Sequence, residues 1–240
     1  MALPMMSTPT YNLVIPSTGE KVRYRPFLVK EEKALLIAQQ SEETEVMVES
    51  LKQVIGGCVL DKINVDELAT FDIEYIFTQI RAKSVGEVVE LLFPCDEDHG
   101  EDQDKAKLKI SIDISNLEVE FPEGHSKKID LFGDVGVVMK YPSFSVMSKL
   151  ENLDITNVDN IFDVIASCVD IIYQGEEIYY AKEQSKEELL DFLYNLTNDQ
   201  FVKLQQFFAK MPKISKKVEY NCPLCGKHHS VTLEGMQSFF

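Results

Sequence analysis

Short alternating runs and longer amphipathic stretches succeed one another along this chain and set its fold class. Residues 11–15 and 21–25 alternate around Pro16-Ser-Thr-Gly-Glu20, which predicts a β-hairpin ended by Pro26. Leu28, Leu35, Leu36 and Ala38, set against Glu31, Glu32 and Lys33, predict an amphipathic helix over 29–40. After a polar break, Val48, Leu51, Val54, Ile55 and Cys58 share one side of a second helix over 46–60. A helix in two pieces follows over 66–82, with Thr70 as the cap of its second piece. Strands at 85–93 and 107–114 flank Pro94, Cys95 and an acidic loop.

The second half runs through the same order. Residues 128–131 and 137–141 form a hairpin around Gly133 and Gly136, ended by Pro142. Helices are predicted to start in 143–150 and to span 158–173, with a small hairpin in 174–182. Helices over 186–196 and 199–210, the latter capped by Thr197, lead to a strand at 217–220. Val54-Ile55-x-x-Cys58-Val59 matches Val164-Ile165-x-x-Cys168-Val169, and Pro26 matches Pro142. Residues 70–95 align with 197–222 without a gap. Thr70, Asp72, Gln79, Ala82 and Lys83 recur as Thr197, Asp199, Gln206, Ala209 and Lys210. The expected fold is therefore α+β, with two tandem repeats over 1–115 and 126–240 joined by a linker at 116–125. Each repeat is a hairpin, helices and a Cys-tipped hairpin.

The cysteines give the repeat its chemistry. Cys222-Pro-Leu-Cys225-Gly226 has the form of a zinc knuckle, in which two thiolates three positions apart grip one metal and the glycine lets the backbone turn. A knuckle supplies two ligands. The first copy holds Cys95-Asp-Glu-Asp-His99 at the matching place, and a thiolate with a neutral imidazole suits zinc. If the two hairpin tips meet, Cys95, His99, Cys222 and Cys225 make a closed, structural, zinc-ribbon-like clasp. His228 or His229 could replace His99 in a more local site. A redox dithiol is the other reading of Cys222 and Cys225, but that chemistry expects a helix N-terminus, and residues 230–233 read as a strand. Cys58 and Cys168 lie in apolar stretches and read as core.

Composition narrows the function further. The 240 residues carry 40 acidic and 24 basic side chains, a net charge of −16, and 45% hydrophobic residues. A core of ordinary size is expected, and nucleic acid or an anionic membrane is disfavoured as a partner. No apolar run approaches a membrane span, and residues 1–10 lack the basic start of a secretory signal. Five dispersed cysteines suit a reduced compartment. No phosphate-binding loop, dinucleotide fingerprint or hydrolase motif is present, so catalytic roles are unassigned. The acidic loop 96–104 lacks the spacing of a calcium loop and reads as solvated surface. Phe239 and Phe240 are expected to tuck into the core, and with Phe207 and Phe208 could line one groove.

The opening, from Thr8 through Arg25-Pro-Phe-Leu-Val-Lys-Glu-Glu-Lys33, resembles the start of T4-type phage baseplate proteins. The close, Cys222-Pro-Leu-Cys225-Gly226 with Leu233-Glu-Gly-Met236 and the terminal pair of phenylalanines, is similar to the end of the same family. The resemblance runs the full length, and the Arg25–Lys33 string is its specific part. It implies a tailed-phage protein needed to build the central baseplate hub in the host cytoplasm, with other tail or hub proteins as partners. Some members of that group are described as hub subunits and others as assembly factors. The expectation is a non-enzymatic assembly factor with a structural zinc. The alternatives are a permanent hub subunit and a zinc-dependent or redox enzyme. The zinc ligands come from the residues themselves and not from the family.

Overall fold

In the computed structural model, residues 7–41, 43–146 and 158–239 are described. Together they make a mixed α+β protein of helices and small antiparallel sheets. Strands β1 (Tyr11–Val14) and β2 (Lys21–Tyr24) pair from Tyr11 opposite Tyr24 to Val14 opposite Lys21. Their alternation buries Leu13, Val22 and Tyr24 on one face. Helix α1 (Val29–Ser41) packs on α2 (Thr44–Cys58). The apolar face expected of α1 is not buried as a whole. Ala38 and Glu31 are enclosed, whereas Leu28 and Leu36 are exposed. In α2 the expected face does turn inward, with Leu51, Val54, Ile55 and Cys58 all buried.

Helix α3 (Thr70–Ser84) follows a short 3-10 turn at Val65–Glu67. Thr70 does not cap it, because its hydroxyl is buried without a hydrogen-bond partner. Asp72, in the first turn, accepts the Ser17 N–H at 2.9 Å instead. Strands β3 (Val88–Phe93) and β4 (Leu108–Asp113) form the first Cys-tipped hairpin. The second is β10 (Lys213–Asn221) with β11 (His228–Glu234). A two-residue strand, β5 (Val119–Glu120), pairs with the start of β10, inside the stretch read from sequence as linker. Ala82, Val89, Phe93, Ile112, Ile114, Ile214, Tyr220 and Phe239 close into one core.

Strands β6 (Lys128–Phe132), β7 (Val135–Met139), β8 (Val169–Gln174) and β9 (Glu177–Tyr180) form a four-stranded sheet in that order. Here the structure corrects the helix expected over 158–173. Helix α4 (Val158–Cys168) stops at Cys168, and the next six residues are strand β8. The reason is tertiary. Val169, Ile171, Ile172 and Tyr173 find partners on β7 on one side, and β9 pairs with β8 on the other. The hairpin expected in 174–182 is thus β8–β9, turning at Gly175 with φ +59°. The helix expected to begin in 143–150 falls partly on residues 147–150, outside the described residues.

Helices α5 (Lys186–Tyr194) and α6 (Asn198–Ala209) each begin with a capping box. Thr197 Oγ1 accepts the Gln200 N–H, and Gln200 Oε1 accepts the Thr197 N–H at 2.8 Å. Leu131, Val137, Met139, Ile165, Cys168, Leu193, Leu204 and Phe207 form a second core.

The chain divides into two compact units, one drawn from 1–65, 71–120 and 213–240, the other from 66–70 and 121–212. These boundaries differ from the halves of the sequence repeat, because the β10–β11 hairpin packs with the first unit. Phe207 and Phe239 sit in different cores. Phe240 lies outside the described residues.

Candidate metal centre

The two hairpin tips of the first unit meet. Cys95 follows β3, and Cys222 follows β10. Tyr220 holds the tips together: its hydroxyl donates to the Pro94 carbonyl at 2.8 Å, and its ring lies 5.2 Å from that of Phe93. Cys95, Ala106 and Cys222 make a small buried cluster under the tips, while Cys225 is exposed.

At the second tip, Cys222 N–H donates to Lys227 O at 2.8 Å and Gly226 N–H to Cys222 O at 3.0 Å. Gly226 has φ +72°, a conformation that a Cβ would strain, and its N–H closes the turn that carries Cys222 and Cys225. At the first tip Gln103 does the corresponding work. Its Oε1 accepts His99 N–H at 2.8 Å, and its Nε2 donates to Cys95 O at 3.2 Å, closing the loop that carries Cys95 and His99. Lys227 ties the loops to each other, reaching Asp96 at 3.0 Å and Glu97 at 2.5 Å. These two carboxylates raise the Lys227 pKa. Asp96, Glu97 and Gln103 belong to the acidic loop expected to be solvated surface, and the sequence assigns Lys227 no role.

The four side chains form a cluster that could hold a metal ion. Cys95 Sγ and Cys225 Sγ are 3.9 Å apart, and Cys222 Sγ and His99 Nε2 are 3.6 Å apart. All four ligand atoms lie within 4.8 Å of one another. A zinc bound at about 2.3 Å to sulfur and about 2.0 Å to nitrogen sets two sulfurs about 3.8 Å apart and a sulfur and a nitrogen about 3.6 Å apart. The same contact recurs on both loops: Glu97 N–H points at Cys95 Sγ and Leu224 N–H at Cys222 Sγ, each at 3.4 Å. Such donors favour thiolate. Burial opposes the Cys222 thiolate, but the backbone of Cys225 and Leu224 and the thiols of Cys225 and Cys95 outweigh it, bringing its pKa to about 6. Burial dominates at Cys95 and raises its pKa.

Two further histidines flank the four-residue group. His228 Nδ1 faces Asn221 Oδ1 at 3.1 Å. His229 stacks on Tyr220 with ring centroids 4.9 Å apart, and its Nδ1 lies 3.6 Å from Asp96 Oδ1. It forms a second group with Cys95 and Asp96, whose ligand atoms also lie within 4.8 Å of one another. Cys58 and Cys168 are buried far from water, and burial pushes both thiols up to about 11. Among the described residues no helix is long and apolar enough to cross a membrane.

The family described as T4 bacteriophage base plate protein matches residues 8–240. The chain belongs to that family. The baseplate hub assembly protein gp26 of Enterobacteria phage T4 is 25% identical to it over 226 residues, which cover 92% of this chain and 94% of the relative. No solved structure matches it. In this base plate protein the Arg25–Lys33 string is a structural joint. Arg25 donates to Glu31 at 2.9 Å, to Gly57 O at 2.7 Å and to Pro26 O at 2.9 Å, and Glu31 accepts Leu28 N–H at 2.8 Å. One ion pair thereby fixes β2, the start of α1 and the end of α2 against each other.

Proposed function

We propose that this base plate protein is a non-enzymatic assembly factor for the baseplate hub, working in the host cytoplasm on other phage baseplate proteins, with a structural zinc at Cys95, His99, Cys222 and Cys225. The hub role rests on the likeness to a relative named for hub assembly. The metal rests on the four-atom geometry of the two hairpin tips. Three sulfurs and one nitrogen complete a tetrahedron and leave no open position for a substrate, which favours a structural over a catalytic ion. Zinc there fastens two segments 127 positions apart in sequence (95 to 222) and couples metal to folding.

The same reading takes residues 1–115 and 126–240 as descendants of one duplicated unit, with 116–125 between them. Backbone contacts outside the metal loops support it. Arg25 N–H, just after β2, donates to Cys58 O at 3.0 Å, and Lys140 N–H, just after β7, donates to Cys168 O at 2.8 Å. Tyr24 bridges to Val59, and Met139 pairs with Val169. Each hairpin thus grips the residue that follows a cysteine-ended helix.

Two measurements test the reading. Metal analysis of the purified chain is expected to give one zinc per chain, and none removes the clasp. A protein inventory of mature virions is expected to lack this chain. Stoichiometric presence would make it a permanent hub subunit instead.

A further inference from the structure

The four-stranded sheet of the second unit has two edges, β6 and β9. Side chains close the first. Met139 N–H donates to Lys127 O, and bonding alternates along an antiparallel pair, so Lys128 and Asp130 point their backbone groups away from β7. Ser126 Oγ accepts Lys128 N–H at 3.1 Å and donates to Lys128 O at 3.0 Å, and Lys203 Nζ donates to Asp130 O at 2.8 Å.

The β9 edge is bare. The two-residue turn at Gly175 and Glu176 makes Gln174 and Glu177 a hydrogen-bonded pair, and Ile172 with Tyr179 is the next. Ile178 and Tyr180 therefore point their backbone outward. Among the described residues no group bonds Ile178 N–H, Ile178 O or Tyr180 N–H. All of β9 is exposed, Ile178 at 55% and Tyr179 and Tyr180 at 42% each. An uncovered edge with three large apolar or aromatic side chains is a template for another strand.

The charges along β9 say which strand. Its turn end is acidic, with Glu176, Glu177 and the Asp134 carboxylate against Gly175. Its other end carries Lys182, whose Nζ lies over the Tyr180 ring, 5.3 Å from the centroid. Among the described residues neither Glu176 nor Lys182 makes an ion pair. An antiparallel copy of β9 reverses the order of charges and sets each end against its complement.

We propose that two copies of this chain pair antiparallel through β9, with a two-fold axis at Tyr179. Tyr180 N–H of each copy donates to Ile178 O of the other. Ile178 N–H donates to Tyr180 O, which also opens the 3-10 turn Ala181–Glu183 and has a second lone pair to offer. Ile178 packs on Tyr180 of the second copy on one face, and the two Tyr179 rings meet on the other. Lys182 of each copy reaches Glu176 at the turn of the other. The contact is small and belongs with weak, reversible interfaces, with a dissociation constant on the order of tens of micromolar. The inference goes beyond the hub-assembly reading and rests on neither that reading nor the metal centre.

The test is sedimentation velocity of the full chain between about 5 and 500 µM. Wild type is expected to pass from monomer to dimer over that range. Ile178→Pro removes an N–H that the β8 ladder does not use, and proline is tolerated at such edge positions. It should weaken dimerisation about tenfold or more while the monomer keeps its melting temperature. Lys182→Glu sets like charges across the axis and should weaken dimerisation by a similar factor. A wild type that stays monomeric throughout would leave the edge to a strand of another protein and overturn the proposal. Undiminished dimerisation in either variant overturns it too. Should Ile178→Pro melt early, cross-linking decides. Residues on the axis form a non-hydrogen-bonded pair with Cα atoms about 4.5 Å apart, within disulfide reach, whereas Glu177 lies roughly 14 Å from its equivalent. Oxidation of Tyr179→Cys should give a covalent dimer well above the background that the exposed Cys225 sets in wild type, and Glu177→Cys should not. Equal yields from the two overturn the pairing.

Discussion

Cys95 Sγ and Cys225 Sγ lie 3.9 Å apart although 130 residues separate them in sequence. Nothing local brings them together; the Phe93–Tyr220 contact and the Tyr220 hydrogen bond to Pro94 do so. A bound metal would convert that proximity into a cross-link. Chelation of the purified protein, or Cys225→Ser, should release the metal and lower the thermal midpoint. Loss of about 3–4 kcal/mol of binding linkage corresponds to roughly 10 °C in a chain of this size. Calorimetry with and without chelator reads this, and an unchanged midpoint after full metal release would remove the structural role.

Glu74 gives a pH dependence of known sign. It packs beside Gly235 and is largely buried, which raises its pKa, while the Met236 N–H partly offsets this. A raised folded pKa means that its contribution is fully present below the unfolded value and is lost as pH rises through the folded one. Ionised Glu74 therefore weakens the fold at neutral pH. Glu74→Gln should melt about 2–4 °C higher than wild type at pH 7, with the gap closing towards pH 4. A constant gap across that range would show that ionisation is not the cause.

The Arg25–Glu31 pair is the deepest ion pair among those described, with side-chain exposures of 12% and 7%. Burial opposes the Glu31 carboxylate, but Arg25, Leu28 N–H and Lys30 outweigh it and lower its pKa. Removing one partner strands a buried charge. Arg25→Ala should cost roughly 3–5 kcal/mol in urea unfolding, and Arg25→Met with Glu31→Leu should recover most of it. No recovery in the double variant would assign the loss to the Arg25 bonds with Gly57 and Pro26 instead.

Thr197 and Gln200 cap α6 reciprocally. Thr197→Ala removes the hydroxyl acceptor and should cost about 1 kcal/mol, whereas Thr197→Ser should cost little. Equal loss in both variants, measured by denaturant midpoint, would point to packing of the threonine methyl.

Local order was legible in the sequence because its causes are local. Alternation with a glycine turn marks β1–β2 and β6–β7, and helical spacing marks α2 and α6. Thr197 with Gln200 marks a cap, and Cys222, Cys225 and Gly226 mark a knuckle. Aligning Cys95 with Cys222 also marks His99, which the structure brings within 4.8 Å of the three thiols. Tertiary structure decided whatever depends on partners distant in the chain. Residues 169–174 continue the apolar run of α4, yet Val169, Ile171, Ile172 and Tyr173 suit a strand, and β7 and β9 on either side draw them into one. Thr70 looks like Thr197, but burial leaves its hydroxyl unused. The β10–β11 hairpin belongs by sequence to the second half, yet it buries Ile214 and Tyr220 with Phe93 and Ile112 of the first unit. A chain can announce which of its residues are apolar; which apolar face they meet is settled only when burial of all such faces is satisfied at once.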